Sequence, residues 1–323
     1  MKKWIHILCS IILISSLSAC SSKEQAFSKS AFYFDTQLTI TIYSENAEEL
    51  LEECMQICER MEKIFSRTRK DSELYAINHR NTDTLKISDD MKTVIKAGLH
   101  SYEISNHAFD ITIAPLLETW NFTQDNASVP NRDVITNALD YIGSEYIELN
   151  RNTLTIKNKN TQIDLGALAK GYIADVIKNY LLENEVKSGF INIGGNVLCI
   201  GSKPDGTSWN IGIQEPFKDK GEVLHTVKVE DISVVSSGVY ERHFIENNIN
   251  YHHLLDARSG YPMNNGLWQV TILTPSSLEA DKLSSTLFLM GLEEGMKYIE
   301  SRKDCEAIFV DDKGKLHFSS GLE

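Results

Sequence analysis

Between residues 146 and 273 the chain spells out one short strand after another: YIELN, TLTIK, GFINIG, WNIGI, HTVKVE, SVVSS, HHLLD and WQVTIL, with a single helical stretch among them. Upstream, QLTITIY alternates Leu38, Ile40 and Ile42 with Thr39, Thr41 and Tyr43, the period-two pattern of a strand with two different faces. Strands that arrive in runs joined by short turns pair antiparallel, whereas a parallel sheet needs a long crossover after each strand. The pattern predicts an α+β fold of layered antiparallel β-sheets with packed helices, in a single domain.

The helices fit around those strands. SENAEELLEECMQICERMEKIF predicts an amphipathic helix with Ser44 as N-cap and Glu45 in its first turn. A second helix starts at Ser88 and carries Met91, Val94, Ile95, Leu99 and Tyr102 inward. A third begins near Gly166 and buries Ile173, Ala174, Ile177 and Leu181. A helix from Ser276, a shorter one from about Leu292 and a hairpin turned at Asp311 to Gly314 close the chain.

The opening residues are of another kind. MKKWIHILCSIILISSLSAC sets Lys2 and Lys3 before an apolar run and a small-residue site, a secretory signal too short to span a membrane. Its ending, LSAC, resembles the bacterial lipobox, in which the cysteine, here Cys20, is acylated and becomes the mature N-terminus. The expected division is a lipoprotein signal peptide over 1–19, a lipidated Cys20 and flexible serine-rich tether over 20–30, and a folded domain over 31–323. The expected location is extracytoplasmic, anchored to the cell membrane.

Four cysteines remain in the domain. Cys54 and Cys58 lie one helical turn apart on an apolar face, a packing pattern, and no zinc-type spacing occurs. A formal charge of −13 with no basic run beyond SRTRK argues against a nucleic-acid partner. No G-x-G-x-x-G follows a strand and no P-loop is present, so a nucleotide would be held by other means.

Four stretches could carry chemistry. In IDLGALAKGY, a strand carrying Asp164 runs through Gly166 into a helix whose first turns hold Ala167, Lys170 and Gly171, a seat for an anion or an ordinary strand-to-helix turn. In TPSSLEADKLSSTLFLMG, Ser276 and Glu279 form a capping box, and Asp281 and Ser285 follow at i and i+4 on one helix face. A carboxylate and a hydroxyl there suit Mg²⁺, although a salt-bridged Asp281 and a backbone-bonded Ser285 would fit the same spacing. SSGVYERHFIENNINYHHLLDARSGYP sets Ser236, Ser237 and Gly238 in a small-residue turn, and His253 three residues before Asp256, where they could hold or shuttle a proton. In NHAFDITIAPLLETW, Asp110 sits among apolar neighbours, as a buried turn former or a ligand contact.

Taken in order, these stretches with FDTQLTITIY, FSRTRKDSELYAIN, FINIGGNVLCIG and WNIGIQEP resemble the FAD:protein FMN transferase (ApbE) family from about Phe32 to the closing hairpin. The resemblance implies transfer of FMN from FAD to a threonine or serine hydroxyl of a target protein, leaving AMP and a phosphoester-linked flavin. It implies Mg²⁺ held by Asp281, Ser285 and the Ala167 carbonyl, with Lys170 facing the FAD phosphates. Asp281, His253 and Asp256 would carry the catalysis. Phe34 and Thr36 stand where the family often has a Met-Gly-Thr run, with Asp35 in place of its glycine, and with Asp110, Lys170, Ser237 and His253 they would line the FAD cleft. Ser285 replaces the usual threonine and offers the same hydroxyl. The implied partners are FAD, a secreted or membrane-attached redox protein with a flavin-acceptor hydroxyl, and the membrane through the lipid. Two other readings stay open: water as acceptor would make the chain a metal-dependent FAD pyrophosphatase, and a lipid-anchored flavin-binding protein would need no catalysis.

Overall fold

The structure, a computed structural model, describes residues 25–124 and 126–322. Strands β1 (Ala26–Tyr33) and β2 (Thr36–Tyr43) form a hairpin, followed by helices α1 (Ala47–Phe65) and α2 (Glu73–Asn78), strand β3 (Thr84–Lys86), and helices α3 (Asp89–Ile104), α4 (Ala114–Trp120) and α5 (Arg132–Leu139). Next come β4 (Ile147–Asn150), β5 (Thr153–Ile156), helix α6 (Ala169–Glu183), β6 (Gly189–Ile193), β7 (Asn196–Ile200), β8 (Trp209–Gln214), β9 (Val223–Val229) and β10 (Ser233–Gly238). Strands β11 (His243–Glu246), β12 (Ile249–His252) and β13 (Leu267–Thr274), helices α7 (Ser277–Met290) and α8 (Leu292–Glu300), and strands β14 (Glu306–Asp311) and β15 (Leu316–Phe318) complete it.

The expected antiparallel layering is present. Eight strands form one sheet in the order β1-β2-β6-β7-β10-β13-β14-β15, every neighbouring pair antiparallel. One face carries Ile40, Ile191, Leu198, Val235 and Ile272 into the main core, against Met61 of α1, Ile177 of α6 and Leu287 of α7. The other face packs Cys199, Val234 and Leu273 on the β8–β9 ribbon through Trp209, Ile213 and Val227. Alternation along each strand thus fills two layers at once. A third cluster, around Trp120, supports the separate β11–β12 hairpin.

The registers bring several turns to one end of the large sheet. Tyr33 pairs Thr36, Leu38 pairs Ile193, Ile193 pairs Asn196, and β10, which pairs Ser233 with Leu198, runs on past Asn196 to Gly238. The chain enters at the opposite end, where Ala26 pairs Tyr43 and Ile42 pairs Gly189.

Four local expectations are corrected. The polar stretch assigned to a tether up to residue 30 is strand β1 from Ala26 onward, held at the edge by Ser28 to Thr41 (2.7 Å) and Ser30 to Thr39 (2.9 Å) hydroxyl pairs that no apolar pattern announces. Helix α1 starts at Ala47 with Asn46 as N-cap, and Ser44 accepts a bond from the Asn46 N–H outside the helix. The segment before Gly166 is not a strand: it makes a single bridge, Gln162 to Ile113, and is tied instead by Asn78, whose amide donates to the Ile163 carbonyl (2.8 Å) and accepts from its N–H (2.7 Å). Strand β12 ends at His252, so HHLLD is mostly loop, whereas SVVSSG is strand throughout and its serines form no turn. Cys54, Cys58 and Cys199 are buried free thiols, each pushed up to about 12 by burial, in keeping with a packing role.

Candidate active site

Helices α6 and α7 lie antiparallel on the sheet and touch without a side chain between them. At Gly171 an added Cβ would stand 2.1 Å from the Ser277 carbonyl oxygen and 2.8 Å from the Asp281 Cβ, so only glycine admits this approach. Farther along, Asp175 takes the Ser276 hydroxyl (2.8 Å) and the Ser277 and Leu278 N–H groups (2.7 and 3.0 Å), capping α7 from its neighbour. Burial pushes the Asp175 carboxyl up, and its three donors oppose that shift. Ser276 also caps α7 at the Glu279 N–H as the capping box foretells, but the Glu279 carboxylate turns to Lys282 and Arg302.

The close approach gives a helix-start donor its acceptor. Gly171 is the third residue of α6, so its N–H has no partner within the helix, and it donates to Asp281 Oδ2 at 3.0 Å. Among the described residues the Ala167 carbonyl accepts no hydrogen bond. Asp281 is only 3% exposed and Ser285, one turn on, 5%. Lys170 reaches across the same corner, its Nζ 2.9 Å from the Gly166 carbonyl and 3.5 Å from Asp281 Oδ1. Asp164 Oδ1 accepts the Gly166 N–H (2.9 Å), and its other oxygen pairs with Arg67 (3.2 Å). Asp164 therefore orders the turn, while Gly166 to Leu168 precede the first residue of α6.

Ser237 joins the corner from β10: its hydroxyl lies 2.7 Å from that of Ser284 and 3.0 Å from that of Ser285. Ser285 thus has a hydroxyl partner instead of a purely backbone one. Thr36 starts β2 beside Gly194, whose φ of +58° and close contact with the Thr36 hydroxyl leave room for hydrogen alone. Phe34 and Asp35 form the β1–β2 turn at φ +56° each, and the Phe34 N–H donates to Glu62 Oε1 (3.1 Å). Both residues stand at the sheet end that holds α6 and α7's meeting point, though no bond joins them to Lys170 or Asp281.

His253 follows β12, its N–H bonded to the Arg242 carbonyl (3.0 Å). Its Nδ1 is buried without a hydrogen-bond partner. Burial, then the positive charges of Arg242, His252 and Lys170, pull its pKa down to about 3, so the ring is neutral at ordinary pH.

Two expected site residues are spent elsewhere. Asp110 is buried, one oxygen taking the Thr112 N–H and hydroxyl and the Ser144 hydroxyl (2.7 to 2.8 Å), the other the Ser144 N–H (2.8 Å). Those bonds make it a turn former rather than a cleft residue, although burial still pushes its pKa up. Asp256 does not hold His253: it is bidentate to Arg258 (2.8 and 2.9 Å) and takes the Arg258 N–H (3.0 Å), which shapes the loop after β12. Cys20 lies outside the described residues. Sequence reading missed Asn78 and Asp175, and named Gly171 in the helix start without its contact; a glycine in a helix's first turns is the one signal that marked it beforehand.

The Asp281 carboxylate, the Ser237 and Ser285 hydroxyls and the Lys170 ammonium, with the unbonded Ala167 carbonyl at the start of α6, form an oxygen-lined corner. Such a set suits a hard divalent cation and a phosphate-bearing ligand.

The ApbE family model matches residues 34–309. An FAD:protein FMN transferase of Klebsiella pneumoniae is 32% identical over 302 residues, spanning 93% of each chain, and one of Treponema pallidum is 27% identical over 97% of this chain and 92% of its own. Among solved structures, the ApbE protein of Thermotoga maritima superposes with a TM-score of 0.84 at 30% identity, covering 92% of this chain and 98% of the other. The flavin transferase ApbE of Vibrio cholerae gives 0.80 at 26% identity over the same shares.

Proposed function

The chain belongs to the ApbE family, and from that premise we propose that this FAD:protein FMN transferase moves FMN onto a threonine or serine hydroxyl of a target protein, making a phosphoester-linked flavin and releasing AMP. The observation that carries the reading is the buried Asp281, held against the start of α6 by the Gly171 N–H and the Lys170 ammonium, where the Ala167 carbonyl accepts no hydrogen bond among the described residues.

Those donors fit Mg²⁺, with Asp281, Ser285 and the Ala167 carbonyl as its protein ligands. Bound there, the ion would offset charge on the FAD diphosphate, the main requirement of phosphoryl-type transfer. Lys170 turns its ammonium from Asp281 to the same phosphates. The acceptor hydroxyl oxygen forms a bond to the FMN phosphorus as that phosphorus parts from the bridging oxygen, which leaves with AMP. His253, neutral and therefore able to accept, takes the hydroxyl proton. Ser237 keeps Ser285 in place through its hydroxyl.

Cys20 is proposed to carry the lipid, on the sequence pattern alone. The acceptor is then a secreted or membrane-attached redox protein. The test is incubation with FAD and Mg²⁺, with and without a flavin-carrier domain, read by mass spectrometry and AMP release. FMN joined to one hydroxyl of the carrier, dependent on Mg²⁺ and lost in Asp281→Ala, is expected. Rapid AMP release indifferent to the carrier, with no flavin attached, refutes it.

A further inference from the structure

A transferase of this kind has two substrates, and the corner around Asp281 accounts for one. The second is a protein, which needs a surface beside His253. The β11–β12 hairpin is inserted in the chain between the serines of β10 and His253, and both ends are fixed to the site. The Asn250 amide donates to the Val239 carbonyl (3.2 Å), the His243 Nδ1 lies 2.6 Å from Asn250 Oδ1, and His253 N–H bonds Arg242. Beneath it, Phe244 and Tyr251 stack on each other (5.4 Å) and Tyr251 on Trp120 (5.6 Å), so the ribbon has a rigid base although it pairs with no other strand.

Two isoleucines flank its polar turn and are bare. Ile245 is 67% exposed and Ile249 53%, and the strand registers put them on opposite faces of the ribbon. Asn247 and Asn248 make the tight turn between the strands with φ of +51° and +62°. Phe217, 45% exposed, packs edge-on to the His243 ring (5.9 Å), and exposed Tyr261 lies against Trp120 (5.7 Å). Four of the large exposed hydrophobic side chains among the described residues thus lie on the ribbon or against residues that contact it, and the base of the ribbon is His253. Isolated exposed isoleucines need no explanation, but this gathering on one element does.

We propose that the β11–β12 hairpin is the docking element for the acceptor protein, its Ile245 and Ile249 tip packing on apolar surface around the acceptor hydroxyl and presenting that hydroxyl to His253. The proposal rests on the transferase reading, and the occupant follows from it: FAD is held by the polar corner, and the bare ribbon continues directly from that corner. Apolar anchors of this size carry most of the binding free energy in small interfaces.

The test uses the Ile245→Thr/Ile249→Thr double variant, which keeps a β-branch at each position, with Leu182→Gln on the far end of α6 as control. The probe is a flavin-carrier domain that the wild-type protein labels. The double variant should raise the KM for the carrier about tenfold or more, with kcat at saturating carrier and carrier-independent FAD cleavage unchanged; the control should behave as wild type. An unchanged KM overturns the proposal. So does a parallel fall in transfer and carrier-independent FAD cleavage, which would make the hairpin part of the FAD site. Loss of a wild-type dimer with unchanged KM assigns the ribbon to a second copy and also overturns it. A wild-type protein that attaches no flavin defeats the transferase reading itself, and that failure shows in the wild-type arm before any variant is made.

Discussion

Replacing Gly171 by alanine tests the contact on which the site is built. The new Cβ would lie 2.1 Å from the Ser277 carbonyl oxygen, and ordinary contact begins at 3.4 Å, so the helices must part by roughly 1.3 Å at this level. Overpacking of that kind costs about 1–3 kcal/mol, and weakening the Gly171 N–H bond to the Asp281 carboxylate adds about 1.5–3 kcal/mol. At roughly 2–4 °C per kcal/mol for a domain of this size, Tm should fall by about 5–20 °C with the fold retained. Activity should fall further than stability predicts, because a displacement near 1 Å at a positioned group costs on the order of 100-fold. Thermal unfolding and initial rates of FMN transfer, measured well below the new Tm, check both. A variant with wild-type Tm and rate would mean that the helices do not meet as described, and the Gly171–Asp281 bond would lose its significance.

The other predictions are simpler. Asp175→Ala leaves three α7 donors without their acceptor and should cost about 2–3 kcal/mol, while Asp175→Asn retains part of that; chemical denaturation separates the two. Asn78→Ala frees the segment before Gly166, and transfer should slow by more than the loss of about 1–3 kcal/mol of stability accounts for, seen as raised proteolysis near residue 163. His252, whose pKa burial pulls down to about 4, is neutral when folded and has an ordinary value unfolded. Its contribution is therefore whole above about pH 6.5 and lost as pH falls toward 4, amounting to about 2 kcal/mol at pH 5. Denaturation midpoints at pH 7 and 5 should draw closer by that amount in His252→Asn, and an undiminished gap would contradict the assignment.

Much of this was legible because the sequence rules concerned were local. The i, i+4 spacing of Asp281 and Ser285, the Ser276 cap and the Asp164 turn each depend on residues within a few positions, and all stand as expected. What could not be read depends on partners far along the chain. Asp110 and Asp256 looked like site carboxylates because their neighbours were apolar or histidine; Ser144 and Arg258 occupy them instead. Strand β1 looked like a linker because its first half is serine-rich; its outer face is held by hydroxyl pairs, while Phe27, Ala31 and Tyr33 pack inward on the core. The bond from the Gly171 N–H to Asp281 required knowing that α7 lies against α6, which no spacing within either helix states.

The edge strand has a consequence for working distance. With a lipid on Cys20, as proposed, only residues 21–25 separate the anchor from Ala26, a leash of at most roughly 20 Å. The leash attaches at the rim remote from Lys170 and Asp281, and an eight-residue strand adds about 26 Å between that rim and the catalytic mouth. The enzyme would then operate like a lamp on a short post, lighting a zone some tens of ångströms above the bilayer. Proteins that carry their acceptor hydroxyl at that height would be served, and those that hold it flush with the lipid would stay dark.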